Sequence, residues 1–196
     1  MTKMVGLRGG GGVLGVTAVL LFLLVALGTF DPQPVGKLAW TSAAATQTAP
    51  RLEKQISWLV EEIPLGDFTI RTTVTHESGE LDSGAGLVFG DEGTAVIIAI
   101  SPLGYVTIQQ DEPITADRLP MTEMPWQPWP HLKTGSEANE LWVDVVDGQM
   151  RVRINRELLW SGAAPFQPTQ LGLYGESFGD TAVFHFQQIE LFTDTK

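Results

Sequence analysis

Residues 139–160 have the sequence NELWVDVVDGQMRVRINRELLW, and this stretch decides the fold. Apolar and polar side chains alternate on both sides of Asp147 and Gly148, which is the pattern of two strands joined by a two-residue hairpin turn. This register places the apolar residues in three facing pairs: Val145 with Met150, Val143 with Val152, and Leu141 with Ile154. We therefore predict that one face of the hairpin is buried in a core.

The opposite face of this hairpin carries polar and aromatic side chains. The same register sets Asp144 opposite Arg151 and Trp142 opposite Arg153, which predicts a charge pair and a cation–π pair. One apolar face and one polar face are typical of a sheet that covers a core. The pattern therefore indicates architecture, and it does not specify a reaction.

Composition excludes several classes of function. The chain has 196 residues, no cysteine and a formal net charge of −11. Without cysteine there can be no disulfide, no cysteine zinc site and no covalent c-type haem attachment. So acidic a surface repels phosphate groups, which argues against nucleic-acid binding and against attraction to anionic lipid headgroups.

An uncharged run of eighteen residues, 13–30, follows the basic residues Lys3 and Arg8. At about 1.5 Å per residue it nearly spans a hydrocarbon core of roughly 30 Å. Because basic residues stay on the cytoplasmic side, we expect 1–12 to be cytoplasmic, 13–30 to be a transmembrane anchor, and the remainder to be extracytoplasmic. A signal peptide cleaved after the small-residue pattern at 26–28 is the alternative.

Strand patterns fill the rest of the chain. Residues 31–51 are rich in Pro, Ala, Thr and Ser, and we predict that they form a tether. From 52 to 192, roughly ten short strand patterns alternate with turn residues, which predicts an all-β sandwich or jelly roll. The run AVIIAI at 95–100 is apolar throughout, as in a strand covered on both faces. Residues 193–196 are predicted to be a tail.

Two segments interrupt this rhythm. Residues 111–134 contain five prolines together with Trp126 and Trp129, so the segment cannot form a central strand and is long for a simple loop. Near the C-terminus the apolar alternation shifts by one residue around 187–188. An extra residue in one strand produces such a shift, so we predict a β-bulge there.

The order of these signals resembles the concanavalin A-like lectin/glucanase superfamily, and within it the laminin-G-like and 3-keto-disaccharide hydrolase type of domain. The resemblance covers about residues 52–192 and rests on DFTIRTTV, GAGLVFG, AVIIAI with GYVTI, the hairpin, QLGLYG and VFHFQQIELF. One departure is Arg156, which follows the turn residue Asn155 where glycine is usual. The resemblance implies a concanavalin-like β-sandwich and a carbohydrate or glycoconjugate ligand. The uncharged run at 13–30 adds one N-terminal transmembrane helix before this sandwich.

Acidic residues offer weak candidates for catalysis and metal binding. Glycoside hydrolases of this fold place two acids on alternate residues of one strand. Glu80 and Asp82 have that spacing, but HESGELDSG is typical of a loop, so an exposed acidic turn is the preferred interpretation. Calcium could bind to loop carboxylates such as Asp82, Asp91 and Asp111, although their spacing matches no known calcium loop. No other cofactor is indicated.

A sugar-binding surface needs flat aromatic faces beside hydrogen-bonding side chains, because a pyranose has apolar C–H patches and a rim of hydroxyls. If the long loop folds over the outer face of the hairpin, the ligand-binding residues are Trp126, Trp129, Trp142, Asp144, Arg151 and Arg153. Two alternatives stay open: Trp126 and Trp129 form a hydrophobic clip at one end of the sandwich, or they contact another protein.

These patterns together predict a membrane-anchored extracytoplasmic module that binds carbohydrate or glycoconjugate without catalysis. The first alternative is an accessory subunit of a membrane complex, because the glycines at 9–12 and 15 would allow close approach of partner helices. The second alternative is a glycoside hydrolase.

Overall fold

The computed structural model describes residues 16–19, 22–23, 31–60, 63, 66–91, 94–111 and 123–194. The chain divides into two units, Met1–Gln33 and Pro34–Lys196. In the first unit the described residues 16–19 and 22–23 are helical. Within the described part of the chain, no helix has the length and apolar character needed to cross a membrane. The predicted cytoplasmic segment and most of the predicted anchor lie outside the described residues.

The second unit is an all-β domain, and its described residues form fourteen strands. In chain order these are β1 (Lys37–Thr41), β2 (Ala45–Ala49), β3 (Lys54–Val60), β4 (Phe68–Gly79), β5 (Ser83–Asp91), β6 (Thr94–Ile100), β7 (Tyr105–Asp111), β8 (Met124–Pro128), β9 (Asn139–Val146), β10 (Gln149–Ile154), β11 (Glu157–Ala163), β12 (Gln170–Ser177), β13 (Ala182–Phe186) and β14 (Glu190–Thr193).

The strands form two antiparallel sheets. Sheet A has the order β1-β14-β4-β9-β10-β11, and β13 pairs with both β4 and β2. Sheet B has the order β3-β12-β5-β6-β7-β8. Apolar side chains from both sheets form one core, to which β4, β6, β9 and β10 all contribute. Burying each large aliphatic side chain there stabilises the fold by roughly 1.5–3 kcal/mol. The predicted all-β sandwich is therefore confirmed.

The β9–β10 hairpin has the register that the sequence predicts. All three apolar pairs are formed, Val145 with Met150, Val143 with Val152 and Leu141 with Ile154, and the six side chains are buried. The turn residues Asp147 and Gly148 have φ angles of 49° and 71°. Positive values at both positions define the type I′ turn, whose twist matches that of the flanking strands.

The two pairs predicted for the outer face are not formed. Arg153 makes its ion pair with Asp144, and Arg151 does not. The cation over the Trp142 ring is Arg71 of β4, with its guanidinium carbon 5.3 Å from the ring centroid. Arg153 reaches Asp144 as a diagonal neighbour on β10, and Arg71 reaches Trp142 because β9 lies between β4 and β10. The hairpin sequence specifies only one of those neighbours.

Two predictions for sheet B are confirmed. Every residue of β6 is buried: its even-numbered apolar side chains enter the main core, and its odd-numbered ones pack in a second cluster with Val88 and Tyr174. The described end of the proline-rich segment forms β8, which is the edge strand of this sheet and not a central one. An edge position tolerates Pro125 and Pro128 because one side of the strand needs no ladder hydrogen bonds.

The extra residue predicted near 187–188 is also present. Both β13 and β14 lie along β4, where Phe186 faces Val74 and Glu190 faces Arg71. Three residues, 187–189, therefore lie opposite two residues of β4. This one-residue excess is what defines a bulge, and it explains the change of phase in the apolar pattern.

The predicted tether, residues 31–51, is wrong where two strands of sheet A occupy it. Residues 37–41 and 45–49 form β1 and β2, which pair with β14 and β13 at the edge of sheet A. Trp40 packs against the main core. The sandwich therefore begins before the predicted boundary at residue 52, and it extends to Thr193 in the predicted tail. Five-residue strands rich in Ala and Thr show too little hydrophobic alternation to be recognised.

Asp144→Asn should destabilise the protein by about 3 kcal/mol, the scale of a broken buried ion pair. The buried Asp144 carboxylate accepts hydrogen bonds from Thr69 Oγ1 at 2.7 Å and Trp142 Nε1 at 2.6 Å, and it pairs with Arg153. An amide would place an NH₂ group among donors and leave the guanidinium uncompensated. Urea unfolding of the variant would measure the loss.

Asp147→Asn is the matched control, because it makes the same charge change in the same hairpin at an exposed turn position. Asparagine accepts the positive φ of this residue, so its effect should stay within about 0.5 kcal/mol. Equal losses in the two variants would contradict a special role for the buried carboxylate.

Candidate functional site

The six predicted ligand-binding residues do not form one surface. Trp126 lies in β8 of sheet B, with Trp129 directly after it, whereas Trp142, Asp144, Arg151 and Arg153 lie in β9 and β10 of sheet A. The strand that carries Trp126 pairs with β7 and not with the hairpin. The assumption that the long loop covers the hairpin is therefore wrong for its described part.

Three of these hairpin residues, Trp142, Asp144 and Arg153, belong instead to a buried polar network on the outer face of sheet A, whereas Arg151 is exposed. Trp142 and Asp144 are only 2% and 5% exposed. Their cross-strand neighbours on β4, Arg71 and Thr69, contact them, and Arg71 also makes an ion pair of 2.5 Å with Glu190. Side chains so enclosed stabilise the sheet and are not accessible to a ligand.

Trp129 has the position expected for a hydrophobic clip at one end of the sandwich. Its ring is partly buried against the main core, and its centroid lies 5.5 Å from that of His131. Its backbone N–H donates to the carbonyl of Gly104 in the β6–β7 turn at 3.0 Å. Trp129 thus attaches the end of β8 to the body of the sandwich.

A pocket of about 430 Å³ lies at one end of sheet B, and we call it the aromatic pocket. Its described lining residues are Asp82, Ser101, Leu103, Tyr105, Trp126 and Phe178. Ser101, Leu103 and Tyr105 lie in the β6–β7 turn or at its end, and Trp126 lies in β8. Asp82 directly precedes β5, and Phe178 directly follows β12. Trp126 and Asp82, which sequence analysis assigned to different sites, are brought together here.

Antiparallel pairing explains why these segments meet. The first residue of β5, Ser83, faces Ser177 at the end of β12, so that the chain on either side of them is adjacent. The backbone N–H of Phe178 then donates to the carbonyl of Asp82 at 2.9 Å. Pairing of β5 with β6, and of β6 with β7, brings the β6–β7 turn to the same end of the sheet.

The indole of Trp126 is held by a glycine beneath it. A Cβ atom at Gly84 on β5 would overlap the six-membered ring of this indole, so only glycine admits the ring at that depth. The Phe178 ring meets it edge to face, with centroids 6.2 Å apart and planes at 85°. This geometry is the favourable arrangement for two aromatic quadrupoles. No described residue accepts a hydrogen bond from the Trp126 indole N–H.

The aromatic pocket combines exposed apolar faces with a carboxylate. Leu103, Tyr105 and Phe178 are 46%, 42% and 44% exposed, although large apolar side chains are usually buried. Asp82 is also exposed and supplies hydrogen-bond acceptors at the pocket wall. Such a pocket can hold a ligand that has both an apolar face and hydroxyl groups.

Glu80, the other weak catalytic candidate, is outside the described pocket lining. Its carboxylate accepts the backbone N–H groups of Asp82 at 3.1 Å and Asp180 at 3.4 Å. These hydrogen bonds favour the charged form and lower the pKa of Glu80. A catalytic acid needs the opposite shift. Glu80 therefore has a structural role: it connects the β4–β5 loop to the β12–β13 loop beside the pocket.

The three residues considered for calcium lie at two different ends of sheet B. Asp82 precedes β5, while Asp91 ends it, and nine residues of extended strand correspond to roughly 30 Å. Asp111 ends β7 at the same end of the sheet as Asp91; the side chains of these two residues are outside the described part. Among the described residues, no group of three His, Asp or Glu side chains could hold a metal ion.

Comparison with known proteins supports the fold. No protein-family model matches the chain, and no curated protein matches it. The carbohydrate-binding module CBM66 from Bacillus subtilis is similar, with a TM-score of 0.52 and 16% identity over 75% of this chain and 93% of that one. The Emp46p carbohydrate recognition domain has a TM-score of 0.52 and 11% identity, over 80% of this chain and 89% of that one.

A functionally unknown protein from Saccharomyces cerevisiae is also similar, with a TM-score of 0.51 and 15% identity over 85% of this chain and 98% of that one. At such identities the likeness concerns the fold alone. The second unit therefore has the two-sheet architecture of lectin-like and carbohydrate-binding sandwich domains, as the concanavalin-like resemblance implies.

Sequence analysis missed Ser101, Leu103, Tyr105 and Phe178. Three of these are large apolar residues in or beside turns, within PLGY and ESFGD. Turns are usually polar, so an aromatic or leucine side chain at a turn is the signal that could have identified them. Trp126 was recognised because it lies in a segment that is unusual in composition.

Glu80→Gln should destabilise the protein at neutral pH and lose that effect in acid. A pKa that is lowered in the folded state means that the ionised carboxylate stabilises the fold above the unfolded-state pKa. This contribution disappears as the pH falls through the folded-state pKa. Urea midpoints of wild type and variant should therefore differ at pH 7 and converge toward pH 3. Glu77→Gln, at an exposed position of β4, is the control and should leave the urea midpoint at pH 7 nearly unchanged.

Proposed function

We propose that the sandwich domain binds carbohydrate in the aromatic pocket. The observation that carries this proposal is the group of aromatic rings, exposed in Tyr105 and Phe178 and partly buried in Trp126, beside the Asp82 carboxylate. A pyranose ring packs its C–H face on such rings, while its hydroxyls donate to a carboxylate. A volume of about 430 Å³ is within the range of small-ligand sites.

The fixed position of the Trp126 indole favours this function. Since Gly84 and Phe178 hold the ring, little side-chain entropy is lost when a ligand packs against it. The similarity to a carbohydrate-binding module and to a carbohydrate recognition domain agrees with this proposal, although it rests on the fold. The sequence resemblance implies the same class of ligand.

We propose binding without hydrolysis. Glycoside hydrolysis usually requires two carboxyl groups on opposite sides of the scissile bond. Among the described residues that line the pocket, Asp82 is the one carboxylate. Its sequence neighbour Glu80 is engaged by two backbone N–H groups, which keep it ionised. With one carboxylate in its described lining, the pocket can accept hydrogen bonds from sugar hydroxyls but has no second carboxyl group for hydrolysis.

Gly84→Ala should weaken sugar binding at least tenfold, although it changes no residue of the described lining. The added methyl group would overlap the Trp126 ring and displace it from the pocket wall. Trp126→Ala should cause a loss of about thirtyfold, the scale of a buried aromatic anchor. A glycan array of the full-length chain would identify a ligand, and calorimetry with that ligand would measure each variant.

Gly90→Ala is the matched control. Gly90 lies on the same strand and the same face, and a methyl group there would overlap the ring of Trp58 at the opposite end of β5. Binding in the aromatic pocket predicts no loss in this variant. Absence of any glycan signal from the wild type would contradict the proposed function. Equal losses of affinity in the two glycine variants would contradict binding in the aromatic pocket.

We also propose that residues 13–30 anchor the chain in a membrane with the sandwich on the extracytoplasmic side, on the basis of the uncharged run and the basic residues before it. The full-length protein should remain in the membrane fraction after an alkaline wash, and external protease should degrade the sandwich. Release of a shorter soluble chain would instead favour cleavage after 26–28. Co-purification of other chains in mild detergent would favour the accessory-subunit alternative.

A further inference from the structure

We propose that a second pocket, on the outer face of sheet A, binds the oxyanion group of an acidic ligand, a carboxylate or a sulfate. This polar pocket has a volume of about 410 Å³. The lining residues that matter here are Thr73, Lys133, Glu140, Asn155, Arg156 and Gln187. It is separate from the aromatic pocket, which belongs to sheet B.

The backbone conformation of Arg156 supports this proposal. It occupies the second position of the β10–β11 turn, where Asn155 and Arg156 have φ angles of 51° and 71°. The β9–β10 turn has nearly the same angles, 49° and 71°, with glycine at the second position. A left-handed conformation disfavours residues with a Cβ, so arginine is a strained choice at this position. Strain of this kind is typical of binding sites, where a particular side chain is needed.

The bulge at 187–189 also supports it. Bulges turn a side chain away from the position it would have in a regular strand, and they are frequent beside binding sites. Here the backbone N–H of Gln187 donates to the carbonyl of Thr73 at 2.9 Å, which fixes the bulged residue over β4. Gln187 and Thr73 then both line the polar pocket. The left-handed turn at Arg156 and the bulge at 187–189 therefore meet at one site.

The charge of the polar pocket favours an anionic ligand. The chain carries a net charge of −11, yet the described lining has two cations, Lys133 and Arg156, against one anion, Glu140. Arg156 Nε lies 3.5 Å from Glu140 Oε2, and the arginine side chain is 55% exposed. Such an exposed pair contributes little stability but orients the guanidinium. The Lys133 ammonium group donates to the Ala138 carbonyl at 3.2 Å, which positions it on the pocket wall.

The ligand class follows from these donors. Guanidinium and ammonium groups form strong charge-assisted hydrogen bonds with carboxylate or sulfate oxygens. The Gln187 amide and the Thr73 hydroxyl can pair with neutral hydroxyl groups on the same ligand. A uronic acid or a sulfated sugar carries both kinds of group.

Arg156→Gly separates binding from stability. Glycine relieves the strain of the turn, so the unfolding midpoint should rise by about 2–4 °C, while anion binding should weaken at least tenfold. The reciprocal variant, Gly148→Arg, is the matched control. A side chain at Gly148 would meet no atom within 4 Å of its Cβ, so this variant tests the φ strain alone. It should lower the midpoint and leave anion binding unchanged.

The binding measurement is an NMR titration of the full-length chain in detergent micelles with glucuronate, inorganic sulfate and glucose. Glucuronate and sulfate should shift the signals of Lys133, Arg156 and Gln187, and glucose should not. A response to one anion alone supports the proposal and identifies which oxyanion is bound. The proposal is overturned if neither anion shifts these signals, if the shifts survive in Arg156→Gly, or if that variant lowers the unfolding midpoint.

Discussion

The register of the β9–β10 hairpin determines which side of sheet A faces the core. Side chains alternate with a period of two, so a slip of one residue would turn Leu141, Val143 and Val145 toward solvent and bring Trp142 and Asp144 inward. The Asp147-Gly148 turn prevents that slip because its loop length fixes the pairing. Through β4, the same register aligns β13 and β14, and hence the whole of sheet A.

The two sheets use their outer faces differently. On sheet A the outer face is polar: Asp144 collects hydrogen bonds from β4, β9 and β10 and connects three strands. On sheet B it is apolar, with Ile97 and Tyr174 in a second buried cluster. Glycines at 84 and 90 lower the surface of β5, so the rings of Trp126 and Trp58 lie close to its backbone. One fold thus presents a polar pocket on one sheet and an aromatic pocket on the other.

Local alternation explains which features could be predicted from the sequence. The hairpin pairs, the doubly covered β6 and the bulge at 187–189 depend on side chains that are neighbours in the chain. The aromatic pocket depends on pairing between β5 and β12, which are remote in sequence, so no local pattern indicates that Asp82 meets Phe178. The cation over Trp142 was misassigned for the same reason, because Arg71 belongs to β4, which is also distant in sequence. Strands β1 and β2 were missed because their short, small-residue sequences carry little alternation.

The position of β8 also affects how the protein behaves in a crowded solution. Edge strands present unpaired N–H and C=O groups, and these groups can recruit strands from other molecules. In β8, Pro125 and Pro128 remove two N–H donors from a strand of five residues. The strand that carries Trp126 is therefore a poor template for intermolecular sheet growth. The protein can therefore expose the aromatic pocket beside this edge strand with a reduced tendency to aggregate through strand pairing.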